Sequence, residues 1–281
     1  MGRRKTENEN KNKNEEQAKG RGMPGEERFE TIAGCKIRLL RGGKGAPLLY
    51  LHGAGGGGIW FPFMETLAEH FEVFAPEHPG FGASETPAWL DNVGDLAYFY
   101  LDFIEELGLK NVTLVGSSLG GWTAAEIAVR SCASLKALVL SCAAGIHIEG
   151  VAKGDIFLWS PEETIRNMYF DQKIADHILA QSLDEAQQMA AAKNRLATAK
   201  LAWQPRLYNP HLHKWLHRIS VPTLILWGDG DRIIPPAYGP AYQALVPGSK
   251  LEIFKDCGHV PQVEKKEAWT DRIIHFAAEA G

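Results

Sequence analysis

The sequence of 281 residues contains no long apolar run. No segment approaches the about 18 consecutive apolar residues that a membrane-spanning helix needs, so we expect no membrane as partner. The residues after the basic start (MGRRK) are polar. A secretory signal would continue with an apolar segment, so none is predicted. These absences favour a cytoplasmic protein.

Cysteine and excess charge are also scarce. Four cysteines (Cys35, Cys132, Cys142 and Cys257) lie far apart and form no C-x-x-C pair. They are predicted to be reduced thiols, because neither a disulfide framework nor a zinc motif fits their spacing. The formal net charge of -4 gives no reason to expect nucleic acid as partner. A small molecule is the expected ligand, and the sequence does not indicate the oligomeric state.

The N-terminal segment has few large apolar side chains. Such a segment cannot bury enough apolar surface to offset the entropy that ordering would cost. We predict a disordered tail over residues 1–27 and a folded part that begins at Arg28.

Short apolar runs then alternate with stretches of helical spacing. The runs are typical of buried strands and cover residues 48–52, 72–76, 112–116, 137–141, 223–227 and 251–254. Helical spacing covers residues 93–107, 119–130 and 264–279. This alternation predicts an α/β protein, with a mostly parallel, twisted sheet and helices on both of its faces.

The alternation stops between residues 145 and 220. In SPEET (160–164), Ser160 can cap a helix, Pro161 suits the first turn, and Glu163 completes a capping box. We predict that residues 145–220 form a helical lid on a core made by residues 28–144 and 221–281. The alternative is a peripheral helical layer unrelated to any site.

A sharp local motif lies between a predicted strand and a predicted helix. Gly116-Ser117-Ser118-Leu119-Gly120 fits G-x-S-x-G, in which a strained turn presents the central serine. Ser118 is therefore the candidate nucleophile. The N–H of Leu119, at the start of the helix, is a candidate donor to a developing oxyanion.

A serine nucleophile needs a base, and the base needs a carboxylate partner. His259 follows the last predicted strand, at the same sheet edge as the serine. Asp231 follows the preceding strand in GDGDRIIPP and is the candidate acid, with Asp229 interpreted as a turn residue and Asp256 as a weaker rival. The order Ser, acid, His along the chain is the one expected for such a triad.

The glycine-rich run of residues 53–58 permits two interpretations. It fits G-x-G-x-x-G, and Glu77 lies at about the distance expected for a ribose-binding acid in a dinucleotide site. The run does not follow the first strand, however, and a dehydrogenase would not need a serine triad. We favour the second half of an oxyanion hole, with the N–H of Ala54 or Gly55 as donor.

Together these segments resemble the α/β-hydrolase superfamily. The resemblance extends from Arg28 to the C-terminus and depends on LLYLHGAGG (48–56), PEHPGFGASE (76–85), GSSLGG (116–121), WGDGDRIIP (227–235) and GHVPQVE (258–264). It implies the α/β-hydrolase fold, a lid that roofs the pocket, and catalysis without a metal or organic cofactor.

The resemblance separates the subfamilies only in part. Haloalkane dehalogenases and epoxide hydrolases carry an aspartate nucleophile, where this chain has Ser118. The glycine loop resembles that of meta-cleavage-product hydrolases, which cut carbon–carbon bonds, but those enzymes usually have a Trp where Val260 stands and a Pro in the loop. The departures favour an esterase, whereas cofactor-free haloperoxidases and perhydrolases share the triad. A receptor-like protein that only binds its ligand is the alternative from another class.

Charged and imidazole side chains of the predicted lid offer further candidates. His211, His213 and His217 lack acidic or thiol partners nearby, so a surface helix is expected rather than a metal site. Three arginines could hold a substrate carboxylate, namely Arg166, Arg195 and Arg206. Arg195 is the one we would test first, although solvation is the ordinary fate of such side chains.

Overall fold

A computed structural model describes residues 25–280. The first strand, β1, begins at Glu26, slightly before the predicted boundary at Arg28. Most of the predicted tail lies outside the described residues. Two strands precede those located from the sequence, β1 (Glu26–Ile32) and β2 (Cys35–Gly43). They pair as an antiparallel hairpin through the turn at Ala33 and Gly34, both of which have positive φ.

The sheet has eight strands in the order β1-β2-β4-β3-β5-β6-β7-β8. The six strands predicted from apolar runs are all present: β3 (Ala46–Leu51), β4 (Phe71–Pro76), β5 (Val112–Ser117), β6 (Leu135–Ser141), β7 (Thr223–Gly228) and β8 (Lys250–Phe254). The pairs β3–β4, β3–β5, β5–β6, β6–β7 and β7–β8 are parallel, whereas β1–β2 and β2–β4 are antiparallel. β5 and β7 are buried along their whole length, as their continuous apolar sequences require.

Helices cover both faces of the sheet. One face carries α2 (Val93–Glu106), α3 (Leu119–Arg130) and α7 (Tyr238–Leu245), and the other carries α1 (Pro62–Ala68) and α9 (Lys266–Glu279). A short helix, α8 (Pro261–Glu264), precedes α9, so the single helix predicted over residues 264–279 is divided at Lys265. The predicted fold class, a mostly parallel sheet with helices on both faces, is confirmed.

The segment between β6 and β7 contains α4 (Pro161–Met168), α5 (Gln172–Leu179) and α6 (Glu185–Ala202). Ser160 accepts a hydrogen bond from the Glu163 N–H while the Glu163 side chain accepts one from the Ser160 N–H, which confirms the predicted capping box. The surface helix expected around His213 and His217 is wrong. These histidines lie in two separate 3₁₀ turns, Leu212–Lys214 and Leu216–Arg218. The division into core and lid remains a prediction.

The parallel strands place the candidate residues at one edge of the sheet. Strands β3, β5, β7 and β8 all end at this edge, and the loops that follow them carry the glycine run, Ser118, Asp231 and His259, respectively. Carboxyl ends of parallel strands are the usual location of sites in open α/β sheets. Among residues 25–280, none of the helices has the length and apolar content needed to cross a bilayer.

Candidate active site

Ser118 occupies the turn between β5 and α3. Its backbone has φ 56° and ψ -113°, a conformation that costs energy for a residue with a side chain. The glycines two positions before and after it have no room for a side chain. A Cβ on Gly116 would lie 2.3 Å from the Gly120 carbonyl oxygen, and a Cβ on Gly120 would lie 2.1 Å from the Leu51 carbonyl oxygen. The tight turn therefore requires glycine on both sides of the serine.

His259 and Asp231 form a buried pair. His259 Nδ1 donates a hydrogen bond of 2.8 Å to Asp231 Oδ2. The other carboxylate oxygen accepts hydrogen bonds of 2.9 Å from the N–H groups of Ile233 and Ile234. Since Nδ1 carries the proton, Nε2 has a lone pair with which to accept one, as a general base must.

The two rival acids have other contacts. Asp229 accepts a hydrogen bond of 3.3 Å from the Cys257 N–H, which makes it the turn residue expected from the sequence. Asp256 lies in a tight turn with a positive φ of 50°. Of the three candidate acids, Asp231 is the one that contacts the histidine.

The serine turn lies beside the His259–Asp231 pair. The Ser118 N–H donates a hydrogen bond of 2.9 Å to the Ser141 carbonyl at the end of β6. The next residue, Cys142, has its Sγ within 4.8 Å of ligand atoms of both Asp231 and His259. The Ser118 hydroxyl makes no hydrogen bond to His259 or to another described residue. Such catalytic contacts often close only when substrate is bound.

The glycine run packs against the serine. A Cβ at Gly53 would lie 3.2 Å from Ser118 Cβ, so the two loops are in contact. Within residues 25–280, the N–H groups of Ala54, Gly55 and Leu119 donate to no backbone or side-chain acceptor. Three free donors beside a serine are suited to stabilising a developing oxyanion.

The contacts of Glu77 disfavour a dinucleotide site. Glu77, the candidate ribose-binding acid, accepts two hydrogen bonds from the Arg38 guanidinium (3.1 and 2.8 Å) and a third from the Ala83 N–H. Arg38 also packs against Gly58, where a Cβ would approach Nη2 to 1.6 Å. The Glu77 carboxylate is therefore bound to Arg38, whose side chain also packs against the glycine loop.

One group of side chains at the site could in principle hold a metal ion. Within the described range, Cys142, Asp231 and His259 are the one such group. Both oxygens of Asp231 are engaged, however, and Nδ1 of His259 is committed to it. Burial raises the pKa of the Cys142 thiol well above its ordinary value, which disfavours the thiolate that a metal would need.

Comparisons with known proteins identify the family of this chain. Residues 48–272 match the model of the "Alpha/beta hydrolase family". The chain belongs to the alpha/beta hydrolase family. It is 28% identical over 265 residues to a 2-hydroxy-6-oxo-6-(2'-aminophenyl)hexa-2,4-dienoic acid hydrolase of Metapseudomonas resinovorans, covering 89% of this chain and 90% of that protein. It is 27% identical to Lipase 1 of Psychrobacter immobilis, covering 83% of this chain and 77% of the lipase.

A solved structure is similar to this alpha/beta hydrolase in fold. The crystal structure of a membrane phospholipase A, a bacterial virulence factor, superimposes with a TM-score of 0.77 at 26% identity, covering 92% of this chain and 87% of the other. The names of the similar proteins thus indicate different substrates, whereas these proteins share the hydrolase fold.

The hydrolase holds its glycine loop with two buried histidines. His52 Nε2 accepts a hydrogen bond from the His78 N–H (2.9 Å), so the His52 proton lies on Nδ1, which donates to the Gly53 carbonyl (2.7 Å). His78 Nε2 donates to the His52 carbonyl (2.9 Å), and its Nδ1 accepts from the Tyr100 hydroxyl (2.5 Å). Because His52 Nε2 must accept from a backbone N–H, His52 keeps both of its contacts only as a neutral imidazole. Burial lowers the pKa of His52 to about 4 and that of His78 well below its ordinary value.

We expect the free energy of unfolding to fall as the pH is lowered from about 6.5 to about 4. Unfolded histidines have a pKa of about 6.5, so in this window the unfolded chain binds protons that folded His52 and His78 do not, and acid favours unfolding. Urea unfolding at a series of pH values measures the slope. His52→Gln should reduce the slope, whereas replacement of the exposed His217 by Asn should have a smaller effect. An equal slope in all three proteins would contradict the assignment.

Asn194, on α6, links the helical segment to the glycine loop. Its Nδ2 donates to the Gly55 carbonyl (2.9 Å) and its Oδ1 accepts from the Gly82 N–H (2.8 Å). The hydroxyl of Thr198, one turn further on, donates to the Asn194 carbonyl of its own helix (2.8 Å) and lies 3.4 Å from the Ala54 carbonyl oxygen. Both side chains are buried. These residues were missed from the sequence, although two polar residues with i, i+4 spacing in an alanine-rich helix are a signal that could have been used.

We expect Asn194→Leu to lower kcat/KM about 10- to 100-fold, with a smaller loss of stability. The variant leaves the Gly82 N–H unpaired, at a cost of about 1–3 kcal/mol, and releases the Gly55 carbonyl next to a proposed oxyanion donor. Steady-state kinetics and thermal unfolding separate the two effects. Asn167→Leu is the matched control, since its amide caps only a carbonyl of its own exposed helix. Equal kinetics for both variants would contradict the positioning role.

A second link from the helical segment reaches the histidine loop. The His259 N–H donates to the Met168 carbonyl (2.8 Å) at the end of α4. Glu264 accepts from the Gly258 N–H through one oxygen, and from the N–H groups of Phe170 and Asp171 through the other. Glu264 is the last residue of the GHVPQVE motif (258–264), but nothing in the sequence pointed to this bridging role. The base loop and the segment after α4 are therefore positioned together.

Proposed function

We propose that this hydrolase cleaves small-molecule carboxylic esters through a serine acyl-enzyme. Ser118 attacks the ester carbonyl while His259 Nε2 takes the hydroxyl proton. Asp231 fixes the imidazole tautomer and stabilises the imidazolium that forms. The N–H groups of Leu119 and of Ala54 or Gly55 bind the oxyanion. His259 then gives its proton to the leaving alkoxide, and water activated by the same histidine releases the acid.

The contacts of three arginines favour an ester as substrate over a dienoic keto acid. The carbon–carbon alternative has a dienoic keto acid as substrate, and its carboxylate calls for a cation. Arg195, the arginine we would test first, is exposed and donates to the backbone carbonyls of Phe157 and Trp159 (3.0 and 3.2 Å). Arg166 pairs with Glu162 and Asp176, and Arg206 pairs with Asp155. All three arginines are therefore committed to scaffold contacts, which favours a substrate without a free carboxylate.

The carbon–carbon hydrolase remains the second candidate because several similar proteins carry the names of such enzymes. The relative from Metapseudomonas resinovorans is named a dienoic acid hydrolase and matches along most of both chains. Against this, the residue after His259 is Val260. Such enzymes usually have a Trp at this position, so the wall beside the base is smaller here than in the enzymes that this glycine loop resembles.

The two candidates are separated by assaying both substrates on one preparation. We expect hydrolysis of short-chain p-nitrophenyl esters, and weak or no cleavage of a phenyl-substituted 2-hydroxy-6-oxo-dienoic acid. Ser118→Ala is the control for background turnover. A kcat/KM for the dienoate above that of every ester tried would replace the ester proposal by the second candidate. Binding without turnover of either substrate would favour the receptor-like alternative.

A further inference from the structure

A cavity of about 170 Å³ lies beside the acid loop. It is partly open to solvent and is lined by residues 151–155, by Phe157, by residues 206–208 and by Tyr238 at the start of α7. Ser118, Asp231 and His259 are not among its lining residues. Its volume is in the range that admits one benzene-sized molecule. The cavity is therefore a candidate site for a small ligand, distinct from the candidate active site.

The cavity contains a cation with no anionic partner. Lys153 is half-buried, and its Nζ lies 5.0 Å from the ring centroid of Tyr208 and 4.9 Å from that of Tyr238. Among residues 25–280, no carboxylate lies within salt-bridge distance of it. Asp155, the acid that lines the same cavity, is paired with Arg206. Burial lowers the pKa of Lys153 to about 8, because it disfavours the charged form of the amine.

The remaining walls are apolar and aromatic. Val151, Phe157 and Leu207 line the cavity, and the ring of His147 stacks on that of Tyr208 with centroids 4.9 Å apart. Flat aromatic walls favour a planar ring as ligand. Since a desolvated ammonium is stabilised by a carboxylate, the two features together define the ligand chemistry.

We propose that this cavity binds a small aromatic carboxylate, with its carboxylate on Lys153 and its ring against Phe157 and the tyrosines. The segment that carries Lys153 is also bonded to the acid loop, because the Gly154 N–H donates to the Ile233 carbonyl (2.8 Å). Ile233 in turn donates to Asp231. An occupant would thus lie next to the loop that holds the proposed catalytic acid, without touching the serine.

Benzoate is the probe, and isothermal titration calorimetry with the full-length protein is the measurement. We expect benzoate to bind at least tenfold more tightly than benzamide, the neutral analogue of similar shape. Lys153→Met should lose this preference, and Lys153→Arg should keep part of it. Lys173→Met, which removes an exposed lysine of the same helical segment, is the matched control and should bind as the wild type does.

The affinity for benzoate should fall as the pH rises through about 8, because Lys153 loses its proton. The other titratable or charged groups that face the cavity are His147, Asp155, Arg206, Tyr208 and Tyr238. The fall in affinity through about pH 8 should therefore be absent from Lys153→Met, and a fall of the same size in this variant would contradict the role of Lys153.

Binding at the catalytic serine is distinguished by blocking that serine with a phosphonate. Benzoate should still bind the blocked protein. Loss of binding on blocking, equal binding of benzoate and benzamide, or unchanged binding in Lys153→Met would each overturn the proposal. A failure of the phosphonate to react would count against the proposed function alone, since the Lys153 variants are compared without it.

Discussion

Replacing Ser118 with alanine is expected to lower kcat/KM by about four orders of magnitude or more, while the fold is retained. The serine supplies the nucleophile, and nucleophile and base act as a unit, so the whole benefit of the pair is lost with either member. The substitution should also remove no hydrogen bond that stabilises the fold, because the Ser118 hydroxyl has no hydrogen-bond partner among the described residues. Ester hydrolysis, with circular dichroism and thermal unfolding as checks of the fold, measures the effect.

Ser117→Ala is the matched control for this variant. Ser117 is the adjacent hydroxyl, is buried, and accepts a hydrogen bond of 3.2 Å from Gln262 Nε2. Its loss should cost stability, by about 1–3 kcal/mol for the unpaired amide, and leave kcat within about tenfold of the wild type. A variant at position 118 that stays active, or a larger loss of activity at position 117, would refute the assignment of the nucleophile.

Replacing Asp231 with asparagine is expected to lower kcat by about 10⁴-fold. The asparagine amide can donate to Nδ1, which would place the imidazole proton on Nε2, where it can no longer accept the serine proton. Asp229→Asn should change kcat little, because the Asp229 carboxylate accepts only from the Cys257 N–H. The two isosteric variants lie two residues apart in the same loop, so each controls for the other.

The comparison of kcat and KM for the two variants decides between the acids. A loss confined to Asp231→Asn, with KM nearly unchanged, is the result that the hydrogen bond of 2.8 Å to His259 implies. A larger loss in Asp229→Asn would mean that the carboxylate at position 229 orients the base during turnover, and the assignment would be reversed.

Local patterns were sufficient to predict most of the fold. Apolar runs located six strands within a few residues of their ends, and five of these are mostly buried, as continuous apolar sequences imply. The two strands of the first hairpin carry less signal. Strand β1 (EERFETI) is half-exposed, with charged residues at alternating positions, so its strand character depends on pairing with β2.

The candidate site was predictable only where the chain itself imposes the geometry. The turn around Ser118 is encoded by adjacent glycines, and the capping box at Ser160 by residues three apart. The contact between Asn194 and Gly55 joins positions separated by 139 residues, and no local pattern encodes such a contact. The contacts of the three arginines could not be predicted either, because the carbonyls and carboxylates that they bind depend on the packing of the helical segment.

Labelling with a fluorophosphonate probe, followed by mass mapping of the labelled peptides, tests the central claim most directly. The proposed mechanism predicts one stoichiometric adduct, on Ser118, that forms in the wild type and in Ser117→Ala but not in Ser118→Ala. Heat-denatured protein should not react, because the reactivity of the serine depends on the folded His259–Asp231 pair. An adduct on any other residue of the folded protein, or no adduct while esters are still being hydrolysed, would contradict a mechanism centred on Ser118.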